Sequence, residues 1–345
     1  EPRILNNLRA RRGEYDADRL AKIREQGGSE IYAMLTSVKC RAASSWLRDI
    51  LMGQGAEKPW TIRPTPIPEL PPTLQQTIIA KAVQPIVQGI QQGAPLSDDQ
   101  VVQMMGQMRD QAMEELRQIA RSAAERMSNK MEDQLNEGGW LDALNDFIDD
   151  LTTFPSAILK GPIVRKKKAL EWTAGEGGKF VPNVKEVLKL EWERVDPFNI
   201  YPSPSATGVD DGFLIERHTL SRSDLEELVG VEGYDSASIR MVLDDYGQGG
   251  LKEWLTNDVA KASAEGQSTQ AVTQNPDHLI DALQYWGSVQ GKMLLDWGMS
   301  AEEIPDPMKE YQVEAWLIGR FVIKAVLNPD PLNRKPYYKA SYEEI

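Results

Sequence analysis

The sequence predicts an α+β chain built from helices and antiparallel hairpins. Three observations carry that expectation. Apolar residues follow a helical period through the first 153 residues, alternate from Phe154, return to short helical patterns after Leu220, and alternate again from His278. Pro95–Gln100 opens a helical pattern that persists to about Leu135. Two pairs of alternating runs are joined by turn chemistry, Thr173–Lys179 in one case and Gly319-Arg320 in the other.

Taken in order, Asp16–Met52 reads as helix broken at Gly27-Gly28. Ile31, Leu35, Val38, Ala42, Ser45 and Leu47 keep the period, Ile50 and Leu51 continue it, and Gly53 and Gly55 end it. Pro59, Pro64, Pro66, Pro68, Pro71 and Pro72 fix φ and remove backbone donors, so 59–72 reads as a polyproline-like connector laid over a surface. Helix resumes over Leu74–Gln92. Ser97 is an N-cap with Gln100 three residues on and Asp98 and Asp99 in the first turn. The helix it opens, at about 97–137, spans on the order of 58 Å, the length of a spoke or coiled arm. Gly138-Gly139 close it, and Trp140–Thr152 is a second helix.

Ala157–Trp172 and Asn183–Val195 alternate as the strands of a hairpin. Asp196–Pro202 is a stiff, extended turn segment, Ser203–Gly212 a polar loop, and Phe213–Leu220 a strand that runs into a helix capped by Ser221. Ser221–Val229, Ser236–Tyr246 and Leu251–Ala264 read as short helices, and Glu265–Pro276 as a polar, mobile stretch. His278–Trp297 and Glu310–Leu327 read as β, followed by a loop at 328–333. The chain therefore divides into 1–153, helical; 154–220, β-rich; 221–277, helical; and 278–345, β.

Composition narrows the function. The 345 residues are 41% hydrophobic and include nine Trp, enough to build cores. The net charge is −13 and the pI about 4.9, whereas a protein that grips DNA through its phosphates is usually basic. A DNA partner would pass by rather than be held. The single Cys40 cannot form an intrachain disulfide and fits a reducing compartment. No apolar run approaches the length of a membrane span. The chain begins at Glu1 without an initiator Met and ends on Tyr342–Ile345 as an interrupted strand, so both ends read as cut.

Signals for catalysis are poor. His218 and His278 are the only histidines, and no metal, P-loop, dinucleotide or nucleophile-elbow motif is present, so no catalytic residue, cofactor or metal ligand is assigned. His218 reads most simply as a hydrogen-bonded strand histidine packed by Phe213 and Ile215, and alternatively as a pH-sensitive or DNA-facing group. Asp210-Asp211 and Asp244-Asp245 read as solvated, capping or turn residues. Arg165, Lys166, Lys167 and Lys168 form the one dense basic run; on a strand at most two share a face. They read equally as a contact to DNA or an acidic neighbouring subunit, and as a charged edge strand that blocks aggregation. Met104, Met105, Met108, Met113, Met127 and Met131 on the long helix read first as adaptable core packing and alternatively as a subunit interface that tolerates repacking. Two alternatives to a structural component stay open: a hydrolase using Glu191, Glu193 and Asp196, and an adaptor that binds peptides along Pro59–Pro72.

One ordered set of segments resembles a known family. Asp196-Pro197-Phe198-Asn199-Ile200-Tyr201-Pro202-Ser203-Pro204-Ser205-Ala206 leads to the Arg217-His218 strand and then to Ser221-Arg222-Ser223-Asp224-Leu225. Further on come the aromatic strands around Tyr285-Trp286 and Tyr311–Trp316, the hairpin through Gly319, Asn328-Pro329-Asp330-Pro331, and Pro336-Tyr337-Tyr338-Lys339-Ala340. This order resembles the portal proteins, or head-to-tail connectors, of tailed bacteriophages, of the podovirus type. The resemblance covers roughly Ala157–Ile345; the helical first third is compatible but carries no diagnostic motif. It implies a portal-like fold: a mainly helical wing and stem, a β-rich wing at 154–220, an approach to the first stem helix at 221–277, and a small clip-like β module at 278–345 that projects from the body. Trp316, Leu317, Ile318, Phe321 and Ile323 would pack within that clip or against a neighbouring subunit. The family's second stem helix, tunnel loop and crown would lie beyond this sequence. The resemblance also implies a twelve-membered homo-oligomeric ring at one capsid vertex of the virion, assembled in the host cytoplasm. Double-stranded DNA passes non-specifically through such a ring, which contacts terminase, capsid protein and tail or adaptor proteins, needs no membrane and catalyses no reaction.

Overall fold

The computed structural model describes residues 2–53, 60–65, 97–174 and 180–341, together with residues 76, 80, 83 and 87, which are helical. The chain is α+β with antiparallel sheets, and it divides into a larger unit, 1–53 with 138–345, and a smaller unit, 54–137.

The larger unit opens with α1 (Pro2–Arg12), α2 (Ala17–Glu25) and α3 (Leu35–Met52). The sequence reading does not single out α1, a short helix with Ile4, Leu5 and Leu8 half-buried; its arginines add bonds, Arg12 donating to the Ala264 carbonyl at 3.1 Å and Arg11 to the Thr153 hydroxyl. Asp16 caps α2 by accepting from the Arg19 amide at 2.9 Å. The smaller unit is dominated by α4 (Asp98–Glu137), a single helix of 40 residues. Ser97 and Gln100 exchange the expected capping bonds, at 3.0 and 3.4 Å. Pro64 and Thr65 line one groove with Met113, Leu116 and Ala120 of this helix, so the described end of the proline connector does lie along a surface. Pro59, residues 66–72 and most of the helix expected over 74–92 fall outside the described residues, as do the turn at 175–179 and Tyr342–Ile345.

Back in the larger unit, α5 (Trp140–Thr153) buries Ala143, Ile148, Asp150 and Thr153. The glycine before it is required by packing. A Cβ at Gly138 would stand 2.2 Å from the Leu190 carbonyl oxygen and 2.5 Å from the Trp192 ring. Two sheets follow. The first has the order β2-β1-β8, with β1 (Ser156–Ala174), β2 (Phe180–Val195) and β8 (Tyr337–Ser341). Its β8 pairs only with the start of β1, from Ser156↔Ser341 to Lys160↔Tyr337, so β1 and β2 continue beyond it as a two-stranded ribbon.

The second sheet has the order β3-β4-β5-β6-β7, all antiparallel: β3 (Ile200–Pro202), β4 (Leu214–Leu220), β5 (Ile280–Gln290), β6 (Glu310–Ile318) and β7 (Phe321–Leu327). Between β4 and β5 run α6 (Arg222–Leu228), α7 (Ser236–Tyr246), α8 (Leu255–Glu265) and α9 (Thr269–Gln274). Ser221 and Asp224 form a full capping box on α6. At the other hairpin Gly319 takes φ +53°, the left-handed turn conformation the sequence anticipates.

Several readings change. The polar stretch 265–276 contains α9, closed by Asn275 in the left-handed conformation with its N–H on the Ala271 carbonyl. The β pattern expected to continue to Trp297 stops at Gln290, and α10 (Gly291–Asp296) begins at a glycine where a Cβ would meet the Asp306 carbonyl at 2.7 Å. Finally, 278–345 is not a β module of its own. β4 pairs with β5 from Leu214↔Trp286 to Leu220↔Ile280, and β8 pairs with β1. A two-stranded hairpin is marginal in water, and pairing across 220–278 gives these strands the neighbours they need. The intervening 221–277 is four helices of 6 to 11 residues rather than an approach to one stem helix.

Three apolar clusters hold the larger unit. Ile280, Ala282, Ile318 and Ile323 of the five-stranded sheet pack against Leu225, Ile239 and Val242 of α6 and α7. Ile158, Val195 and Tyr337 of the smaller sheet meet Leu214 and Trp286 of the larger. Leu294 of α10 and Ile304 cover Val289 and Val313.

Candidate functional site

The two sheets are joined by a buried polar network that no single sequence motif announces. Lys160 on β1 is 4% exposed and donates to Glu216 Oε2 on β4 at 2.5 Å and to Gln284 Oε1 on β5 at 2.7 Å. Tyr337 on β8 donates its hydroxyl to the same Glu216 oxygen at 2.6 Å. His218 Nε2 lies 3.1 Å from Gln284 Oε1 and 3.3 Å from Glu216 Oε2. The Gln284 amide then donates to Glu314 on β6 at 2.8 Å, and Glu314 also accepts from Trp316 Nε1 at 2.9 Å and Lys324 on β7 at 2.8 Å. Each member is held by another, so the arrangement acts as a clasp between sheets.

Its electrostatics follow from that geometry. Burial alone would raise the Glu216 carboxyl, but the bond from His218 and the Lys160 charge outweigh it and bring the pKa down to about 2, from an ordinary 4.5. Burial and the Glu216 charge push the Tyr337 phenol well above its usual value. The Glu216 shift sets an acid limit. A carboxylate lowered on folding stabilises the folded state fully above its unfolded pKa near 4.5, and that contribution is lost as pH falls towards about 2. Acid titration of wild type should therefore show about 3 kcal/mol of stability draining away across this window, and Glu216→Gln should flatten it.

On the opposite face of β4, Arg217 centres a second cluster. It makes a bidentate pair with Asp258 at 2.6 and 2.6 Å, donates to fully buried Asp281 at 2.9 Å, and lies 5.3 Å from the Trp254 ring. Burial opposes its charge, but Asp258 and Asp281 hold its pKa above the ordinary arginine value. Lys252 stands 3.8 Å from Asp281 and 3.9 Å from Asp258.

The residues singled out by sequence are distributed as follows. His218 stacks on Trp316, ring centroids 4.6 Å apart, instead of on Phe213 and Ile215; Phe213 stacks on Tyr285. Arg165 pairs with Glu191 and Glu193, at 3.4 and 2.7 Å, and Lys167 with Glu191, on one face of the ribbon. Lys166 and Lys168 take the other face, exposed, with no ion pair among the described residues. Glu191 and Glu193 are thus held by cations, and Asp196 is held by Lys261 and accepts from the Phe198 amide at 3.0 Å. The three carboxylates suggested for a hydrolase do not converge on a common point free of cations. Of the expected clip residues, Ile318 and Ile323 are fully buried in the chain's own core, Phe321 packs against that core beside Tyr246, and Trp316 is half-buried over His218. Leu317 faces the other side of the sheet. There, Leu283, Tyr285, Met293, Trp297, Leu317 and Val322 line an apolar groove of about 370 Å³.

The turn segment 196–202 is braced internally: Tyr201 donates to the Phe198 carbonyl at 3.0 Å, and Lys261 lies 5.3 Å over the Phe198 ring. In the following loop Asp211 gathers the Thr207 amide, the Thr207 hydroxyl and the Gly208 amide at 3.2, 2.5 and 3.0 Å. Asp210 accepts from the Lys335 amide at 2.8 Å, and Lys335 Nζ reaches the Val209 carbonyl at 2.9 Å. The loop after the Asp196-Pro197 segment and the run before Pro336-Tyr337 therefore meet, although 125 residues separate the first pair.

No known protein family matches this chain, and no curated protein matches it. Among the described residues no cluster of three or more His, Cys, Asp or Glu side chains is arranged to hold a metal ion, and no helix is long and apolar enough to cross a membrane.

Proposed function

We propose that the chain is a structural subunit of a portal-type connector: a closed ring, of twelve copies by analogy with the family it resembles, that sits at one capsid vertex of a tailed bacteriophage and conducts the genome during packaging and ejection. Terminase, capsid protein and tail or adaptor proteins would dock on it. The observation that carries this reading is the meeting of the resembling segments. The loop of 203–212 is bonded to Lys335 at the head of the Pro336-Tyr337-Tyr338 run, and the Arg217-His218 strand between them pairs directly with the Tyr285-Trp286 strand. That contact supports the reading in so far as a portal-like module requires these segments to be neighbours.

The charge supports the same reading. A ring multiplies the −13 of each copy, and a channel with a net negative field repels phosphates and lets a duplex slide. Duplex DNA of random sequence should therefore bind weakly, and the few phosphate contacts it makes should loosen with added salt. Filter or anisotropy titrations between low and physiological salt check this. Tight, sequence-selective binding at physiological salt is incompatible with a sliding channel.

A further inference from the structure

We propose that the β1–β2 ribbon of one copy docks into the apolar groove on the five-stranded sheet of the next copy, head to tail. This rests on the reading that the chain self-assembles, and it assigns the surfaces that do so.

The ribbon is an incomplete structure by itself. Beyond the irregularity between Lys160 and Ile163 its two strands pair only with each other among the described residues. Cross-strand pairs Val164↔Leu190, Lys166↔Leu188, Leu170↔Val184 and Trp172↔Pro182 put one set of side chains on a common face. That face leaves Val164, Leu170, Trp172, Val184 and Leu188 between 57% and 68% exposed. The charged pair Lys168↔Glu186 lies between these apolar groups on the same face. A two-stranded ribbon is marginal in water, and large apolar side chains left exposed on one face mark a surface suited to a partner.

The groove is the complementary surface. It lies on the side of the sheet away from Ile318 and Ile323, its lining is almost wholly apolar, and Met293 at its edge is 48% exposed. Charge selects a second copy of this chain as the occupant. Residues 163–191 carry seven Lys and Arg against four Asp and Glu, in a chain of net charge −13. The segment that runs from the groove's Met293 and Trp297 to the start of β6 exposes Asp296, Glu302, Glu303, Asp306 and Glu310, against Lys292 and Lys309. Lys166 stands opposite Leu188 and Lys168 opposite Glu186, neither with an ion pair among the described residues, so both are cations available to that acidic segment. Phosphates would match the lysines but leave Trp172 and Leu188 in water. Because ribbon and groove are different patches, each copy offers one of each. Such a heterologous contact propagates around a ring when its rotation closes.

The test places the photoreactive residue p-benzoylphenylalanine at Leu188 and mixes isotopically light and heavy copies. The expected product is a light–heavy crosslink mapping to residues 283–322. Lys166→Gln/Lys168→Gln and Leu188→Asp, all at exposed positions, should each weaken association at least tenfold while circular dichroism stays that of wild type. If an oligomer forms but the crosslink maps elsewhere, the docking is wrong and the ring reading stands. If no oligomer forms, both are wrong. If the lysine variant loses DNA binding and lowers its salt slope while assembly is unchanged, the ribbon is a nucleic-acid contact and the docking is overturned.

Discussion

Lys160→Met should destabilise the larger unit by about 3–5 kcal/mol, because removing one partner of a buried ion pair leaves the other uncompensated. Lys160 is 4% exposed, and the Glu216 carboxylate it serves is itself buried. Tyr337 and His218 would remain as donors to Glu216, but Gln284 would lose the ammonium on its oxygen. The second variant decides the cause. Lys160→Met/Glu216→Gln removes both charges yet keeps an acceptor for Tyr337, and should recover much of the loss. Urea denaturation of the two variants and of Glu216→Gln closes the cycle. An Lys160→Met protein as stable as wild type would mean that the sheets are held by their apolar contacts alone.

Arg217→Met should cost a similar amount, about 3–5 kcal/mol, and act on the other face of β4. It strands Asp281, which is 1% exposed overall, and frees Asp258 on α8. Lys252, 3.8 Å from Asp281, is the remaining cation. Arg217→Lys keeps the charge but cannot reproduce the bidentate bond to Asp258, so its loss should be intermediate. Hydrogen exchange locates the damage: amides of α8 should open in Arg217→Met, whereas β8 and the first residues of β1 should open in Lys160→Met. Equal, global loosening in both would show that the two clusters are not separate fasteners.

Local pattern carried far in this chain, and it failed where contacts are long-range. The 40-residue helix was legible because Ser97, Gln100 and a sustained period mark it. The paired strands of the ribbon, the Gly319 turn and the Ser221 cap were legible for the same local reasons. The joining of the sheets was not. The pairing Ser156↔Ser341 brings together the two ends of the β region, and no local pattern encodes it. The clasp did leave a faint signal. Lys160, Glu216, Gln284 and Glu314 each interrupt an apolar strand at an inward-facing position, but which of them converge depends on register between strands far apart in sequence. The basic run shows the limit on the functional side. Alternation correctly separates Arg165 and Lys167 from Lys166 and Lys168, yet nothing local shows that Glu191 and Glu193 neutralise the first pair, and by spacing alone they suit a catalytic set equally well. For Trp316 residue type leaves open packing within the chain or against a neighbouring subunit; within the chain it stacks on His218 and bonds Glu314.

The central claim is that this chain works as a closed ring of identical copies. Light scattering with negative-stain imaging of the purified protein at micromolar concentration tests it most directly. The account predicts one dominant species of about a dozen subunits whose end-on views show a ring with a central channel. A clean monomer or dimer under the same conditions would contradict it.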